Sequence, residues 1–217
     1  MRELLFKEFK LAKHPTMFIF TAFALMMLIP SYPYYLAFMY VFLAVFYIFM
    51  LGRENNDVMF TALLPVRKRD AVRARFMMIT IMEIAQIVIC VPFAIFGATI
   101  NPSLNGNEAG IEANVALFGF VFIMYALFNI IFLPMFYKTA YKIGIPFLVG
   151  GLAAMLFAAV LEIAVNVIPY LKMCIDTTNA YMQMQQIPIL IAGMAIYTAV
   201  TYAAYRISAL RFEKVDI

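Results

Sequence analysis

The sequence predicts an all-α membrane protein: six transmembrane helices, preceded by an N-terminal amphipathic interfacial helix, with a short cytoplasmic helix between spans two and three. Three observations carry this prediction. Of 217 residues, 66% are hydrophobic and 13% are charged, with a mean hydropathy of +0.93. That charge is about half the ~25% of a soluble domain, which excludes a soluble enzyme, whereas spanning helices hide an apolar exterior in lipid. The apolar residues form six runs, and the basic residues occupy alternate gaps between them.

Residues 1–14, MRELLFKEFKLAKH, bring Met1, Leu4, Leu5, Phe9 and Ala12 near one helical face, while Arg2, Lys7, Lys10 and Lys13 fall largely elsewhere. This is the pattern of a helix lying on a membrane surface. A secretory signal would need a small-residue cleavage site after the apolar run, where Pro30 and Pro33 stand instead, so no cleavage is expected. The predicted spans cover residues 15–29, 36–51, 76–100, 115–136, 145–168 and 187–205. The first rises only about 22 Å against a core of ~30 Å, so it borrows a turn from the preceding segment or thins the bilayer. Pro30-Ser31-Tyr32-Pro33 is too short for a domain and joins spans one and two as a tight antiparallel hairpin. Pro92 and Gly97 in span three and Pro134 in span four predict modest kinks. One transmembrane domain therefore accounts for the chain.

Four Lys/Arg residues lie in the N-terminal segment, six in the loop 52–75, two between spans four and five and three in the tail, leaving Lys172 alone on the opposite side. By the positive-inside rule both termini are cytoplasmic. The net charge of +4 is thus an orientation signal, and no nucleic-acid partner is expected. Cys90 and Cys174 are read as free thiols, and His14, the one histidine, leaves no structural zinc site. The same scarcity of ligands argues against an intramembrane metalloprotease, and the absence of G-x-S-x-G argues against a serine counterpart.

The loop 52–75 reads GRENNDVMFTALLPVRKRDAVRAR. Phe60, Leu63 and Leu64 form an apolar cluster that stops at Pro65, after which Arg67-Lys68-Arg69-Asp70 opens the approach to span three. An apolar one- or two-turn helix in water needs a cover, so it either docks to another protein or lies on the membrane surface.

Glu54, Asn56 and Asp57, followed by Leu63-Leu64-Pro65-Val66-Arg67-Lys68-Arg69-Asp70 and Arg75-Phe76, resemble the stretch after the second span of ATP-binding-cassette exporter permeases. The likeness extends to Leu4-Leu5-Phe6-Lys7-Glu8-Phe9 and to the six-span layout, and is strongest to small bacterial permeases similar to those exporting phenol-soluble modulin peptides. The resemblance implies that residues 56–69 form a coupling helix seated in a groove of a separate ATPase. It assigns ATPase contact to Asp57, Phe60, Leu63, Leu64, Arg67 and Arg69. It also implies a second permease chain, identical or a similar paralogue, in a bacterial plasma membrane. This sequence has no G-x-x-x-x-G-K-[ST], so ATP and Mg²⁺ belong to the partner, and the chain itself carries no cofactor and no catalytic residue.

Glu83 and Glu162 lie within spans, at a cost of roughly 2.5–3.5 kcal/mol each if ionised and unpaired at mid-bilayer. Their depths differ, about 11 and 25 Å from the inner edge, which argues against a shared-proton pair. Glu83 with Gln86 at i+3, and Glu162 with Asn166 at i+4, suit local polar patches facing the bundle interior. Both readings of Glu83 stay open, a satisfied structural acid or a substrate or gating group, as does an outer-gate role for Glu162. Gly150, Ala154 and Ala158, and Ala195, Ala199 and Ala203, repeat at i, i+4, i+8 and permit close helix approach, within the chain or in a homodimer.

The sequence thus favours the transmembrane permease of an ATP-driven exporter for an amphipathic peptide or other hydrophobic compound, in contact with membrane lipid. A six-span channel or ion-coupled secondary transporter using Glu83 is the alternative, and a membrane scaffold whose basic loop recruits a partner is a third. Topology is testable in intact cells: an impermeant thiol reagent should label Cys174 and miss a cysteine placed in the tail, and the reverse pattern inverts the assignment.

Overall fold

The computed structural model describes residues 2–11, 15–29, 31–100, 107 and 109–215. Met1, Lys13, His14, Pro30 and Glu108 lie outside the described residues. All regular structure among the described residues is helical: α1 (Arg2–Leu11), α2 (Pro15–Ala22) continued by a 3-10 segment (Phe23–Leu28), α3 (Tyr34–Glu54), α4 (Asp57–Leu63), α5 (Lys68–Ile100), α6 (Val115–Tyr137), α7 (Gly144–Val167), α8 (Pro169–Ile175), α9 (Ala180–Gln185) and α10 (Ile187–Glu213).

Five of the described helical stretches, not six, are long and apolar enough to cross a membrane: Tyr34–Glu54, Lys68–Gly97, Val115–Tyr137, Gly144–Val167 and Ala180–Glu213. The expected first span is the exception. Eight α-helical residues and six of 3-10 helix rise about 24 Å, short of the ~30 Å hydrocarbon core. Pro33, at the N-cap of α3, limits how far that run can extend. Two other boundaries also differ. Span three starts eight residues earlier than predicted, because Lys68 to Arg75 already belong to α5, and α10 continues through the basic tail to Glu213. Helix formers such as Lys, Arg and Ala extend a helix beyond the membrane at no hydrophobic cost, so the apolar run alone underestimates its length. The prolines at 92 and 134 sit inside uninterrupted helices.

α6 occupies the centre. Leu117, Val121, Met124, Tyr125, Phe128, Phe132 and Leu133 are all fully buried. Phe42 of α3 stacks on Phe128 with centroids 4.0 Å apart, and Phe49 meets Phe132 and Phe136 edge-on. On another side of α6, Gly150, Ala154 and Ala158 of α7 are buried, and a Cβ at Gly150 would come within 3.2–3.3 Å of Phe128 and Phe132. The small residues of α7 thus serve packing within the chain. Those of α10 do not: Ala195, Ala199 and Ala203 are exposed, while Gly193, Tyr197, Thr201 and Ala204 face inward. α6 and α10 touch backbone to backbone, since a Cβ on Gly193 would lie 2.2 Å from the Gly119 carbonyl oxygen.

The basic segments gather at one end of the bundle. The Arg53 guanidinium lies 5.5 Å from the Tyr141 ring, Lys68 donates to the Val215 carbonyl at 2.7 Å, Arg69 pairs with Glu213, and Arg211 donates to the Pro134 carbonyl at 2.7 Å. At the other end Asn114 caps α6 by accepting from the Leu117 amide at 3.0 Å. Gln186 accepts from the Ala116 amide and donates to the Cys174 carbonyl, fastening the α8–α9 segment over the end of α6. Cys90 and Cys174 are both free, the first buried and the second half-buried.

The Gly119–Gly193 crossing makes a prediction. Gly193→Ala should lower the midpoint of thermal unfolding in detergent, at about 1–3 kcal/mol of overpacking, because the facing atom is backbone and cannot rotate away. Gly151→Ala, with nothing within 4 Å of the added Cβ, should not lower the midpoint and should raise it, at up to about 1 kcal/mol of helix propensity.

Candidate partner-binding surface and buried polar clusters

Asn56 takes a left-handed conformation, φ 50°, between the end of α3 and the start of α4, a geometry asparagine tolerates better than most residues. The turn sends α4 back beneath the bundle and points Asp57 inward. Asp57 is 5% exposed; it pairs with the Arg75 guanidinium of α5 and, at 2.7 Å, with the Lys7 ammonium of α1. Arg75 also pairs through Nε with Glu8 of α1, itself buried, and its guanidinium lies 5.4 Å from the Phe49 ring. Lys7 donates to the Thr61 hydroxyl, which in turn donates to the Asp57 carbonyl at 2.7 Å. Two cations thus balance two carboxylates in one buried cluster that ties α1, α4 and α5 together. Leu5 and Phe9 extend the contact by packing on Ala44, Ile48, Met78 and Met82.

Electrostatics treats the two acids differently. Burial disfavours the charge of Asp57, but Arg75 and Lys7 outweigh it and hold the carboxyl below the ordinary aspartate value. For Glu8 burial wins, and with Asp57 nearby it pushes the carboxyl above the ordinary value despite Arg75 and Lys7.

The opposite face of α4 is uncovered. Leu63 is 76% exposed, Phe60 56% and Met59 58%. Leu64 is half-buried and Arg67 is exposed. Arg69, also exposed, is held by Glu213 through Nε and through Nη2, the latter at 3.0 Å. The residues that the family resemblance groups as one contact surface therefore divide: Phe60, Leu63 and Arg67 face outward, Asp57 is locked inside, and Arg69 is engaged with the tail.

The intramembrane acids find partners on other helices. Glu83 is fully buried; one carboxylate oxygen accepts from the Tyr197 hydroxyl at 2.6 Å and from the Asn129 amide at 3.0 Å. The other oxygen has no hydrogen-bond partner among the described residues. Gln86 is buried too, but donates to the Ala37 carbonyl at 3.2 Å and toward the Cys90 sulfur at 3.7 Å. Glu83 and Gln86 thus face the interior without bonding each other. Glu162 accepts the Ile111 amide with both oxygens at 3.1 Å, pressed against Gly110, where a Cβ would come within 2.5 Å. Asn166 donates to the backbone carbonyl of Glu162 at 2.9 Å from an exposed position, so that pair is joined through the main chain. Glu162 thereby anchors the loop at the end away from the basic segments.

Sequence reading missed Lys7, Glu8 and Arg75 as members of a site, since a buried arginine looks like its neighbours in a basic run. Asn129 did carry a signal, being the one carboxamide in the apolar run 115–136. No group of three or more His, Cys, Asp or Glu among the described residues is placed to hold a metal ion.

Five described helices long and apolar enough to cross a membrane, with basic segments gathered at one end, mark an integral membrane protein. A family model described as "ABC-2 family transporter protein" matches residues 3–212, and the chain belongs to that family. It is a membrane permease component of an ABC transporter, a class that works with an ATPase partner. Comparison with curated proteins and with solved structures finds no match.

The ion cluster makes the prediction here. Arg75→Gln leaves two buried carboxylates facing Lys7 alone and should cost about 3–5 kcal/mol, measured by thermal unfolding in detergent, with protease release of the N-terminal segment. Adding Glu8→Gln should recover part of the loss. The pH dependence has opposite signs at the two acids. Asp57, lowered in the fold, stabilises above its unfolded value and loses this as pH falls through its folded value; ionised Glu8, raised in the fold, costs stability that is relieved as pH falls.

Proposed function

We propose that this chain is the transmembrane permease of an ATP-driven exporter, and that α4 is its coupling helix. Two permease chains, identical or paralogous, sit over two separate ATPase subunits that hold ATP and Mg²⁺. The basic end faces the cytoplasm of a bacterial cell, with both termini there and α1 lying along the inner leaflet. The cargo is an amphipathic peptide or another hydrophobic compound, as in the small bacterial permeases that export phenol-soluble modulins.

The observation that carries this reading is the exposed apolar tip of α4, Phe60 and Leu63, mounted on the buried Lys7–Glu8–Asp57–Arg75 cluster. An apolar face that merely lay on lipid would not need rigid mounting, whereas one that transmits movement does. Closure of the ATPases would push α4, and through Asp57 and Arg75 the start of α5, so that the bundle alternates its access. Asp57 then acts as a positioning residue behind the contact surface.

The test is co-purification. Leu63→Ala with Leu64→Ala should release the ATPase or uncouple its activity from transport while the spans stay folded, each leucine being worth roughly 1.5–3 kcal/mol if fully covered. Arg67→Glu should weaken assembly more at low salt than at high salt, since only the electrostatic part is screened. A surface-loop role predicts no change in partner binding. Transport by the purified chain without any ATPase would overturn the exporter reading and favour an ion-coupled transporter built on Glu83.

A further inference from the structure

A groove of about 860 Å³ runs between α5 and α10. Met77, Ile81, Ile84 and Met194 line its inner stretch beside the hydroxyls of Thr80, Thr198 and Thr201, and Leu210 stands at the mouth; these five apolar side chains are each more than a third exposed, so the groove is open along its side. Its mouth is cationic. Arg69, Arg73 and Arg206 line it, and the acid Glu213 is taken by Arg69. Arg73 and Arg206 have no carboxylate partner among the described residues; Arg206 donates to the Tyr202 hydroxyl at 3.3 Å.

Length identifies the occupant. From Arg73 to Ile84 along α5 is about 16 Å, and from Arg206 to Met194 along α10 about 18 Å, by the helical rise. Half of a ~30 Å hydrocarbon core is about 15 Å. The groove therefore starts at a pair of guanidiniums and ends near mid-bilayer, the depth of one leaflet. A second copy of the chain is a poor fit, because a two-fold axis along the membrane normal would bring the Arg73 and Arg206 side chains of both copies together at one depth, cation against cation. A soluble anion would leave the apolar length unfilled.

We infer that this groove holds an anionic phospholipid of the leaflet at the basic end, its phosphate between Arg73 and Arg206 and an acyl chain along Ile81, Ile84 and Met194. Arg presents the forked donors that suit phosphate, and the apolar wall excludes water from the chain. The inference rests on the proposed function only in calling that leaflet cytoplasmic, and lipid retention is read without any ATPase, so the two can fail separately.

The experiment is native mass spectrometry of the full chain in mild detergent, titrated with phosphatidylglycerol, with phosphatidylcholine of the same acyl chains, and with glycerol phosphate. Phosphatidylglycerol should be retained, phosphatidylcholine should be lost on activation, and glycerol phosphate should not compete. Arg73→Gln with Arg206→Gln should weaken phosphatidylglycerol binding by about thirtyfold with the unfolding midpoint unchanged. Ile84→Trp, which fills the apolar end and spares the charges, should weaken it as well. Equal retention of both lipids, competition by glycerol phosphate alone, or a charge variant that binds like the parent would overturn the inference. So would efficient disulfide cross-linking of two copies through Leu210→Cys, which would make the groove a subunit interface.

Discussion

Arg75 is the group on which the geometry at the basic end depends. Its guanidinium meets Glu8 of α1 and Asp57 of α4 while belonging to α5 itself, so one buried side chain fixes the relative positions of three elements. Buried ion pairs add little net stability, because desolvation offsets most of the attraction, but removing one member strands the others. The cluster therefore contributes orientation more than energy. It lets a helix of seven residues, too short to hold its own shape in water, present one side outward at a defined angle.

Within the membrane the same logic appears with hydrogen bonds in place of charges. Glu83 of α5 is held by Tyr197 of α10 and Asn129 of α6, and the Tyr125 hydroxyl of α6 donates to the Phe38 carbonyl of α3 at 3.2 Å. Lipid offers no competing partners, so such bonds persist where they can form and select one packing among many that the apolar side chains would tolerate. Phe and Met fill the remaining space, and the stacking of Phe42 on Phe128 and the edge contact of Phe49 with Phe132 lock α3 to α6.

Much of the fold was legible because hydropathy and charge placement report directly on solvent. The five long helices α3, α5, α6, α7 and α10 fall where apolar runs lie, and the alternate basic loops do converge on one end. Residues 15–29 were not legible in the same way: an apolar run signals burial in lipid or protein equally, and a change from α to 3-10 geometry at Phe23 leaves no trace in composition. The candidate site was half legible. Exposure of Phe60 and Leu63 follows from a helix with nothing to pack on, whereas the inward turn of Asp57 needs Lys7 and Arg75, residues 50 and 18 positions away, to be placed first. Likewise i+3 spacing suggested that Glu83 and Gln86 belong together, but spacing along one helix says nothing of which neighbouring helices offer a better partner.

The backbone contact between Gly119 and Gly193 has a mechanical meaning. With no side chains between them, α6 and α10 have nothing to roll on, so they move as one plate. α5 lies against that plate. Two fastenings cross the gap: the Arg69–Glu213 pair with Lys68 on the Val215 carbonyl at the rim, and Glu83 on Tyr197 and Asn129 in the interior. The rim fastening is in water and exchanges readily, while the interior one can move only by trading partners. Because one carboxylate oxygen accepts from both helices of the plate, Glu83 sets the register of α5 against α6 and α10 together.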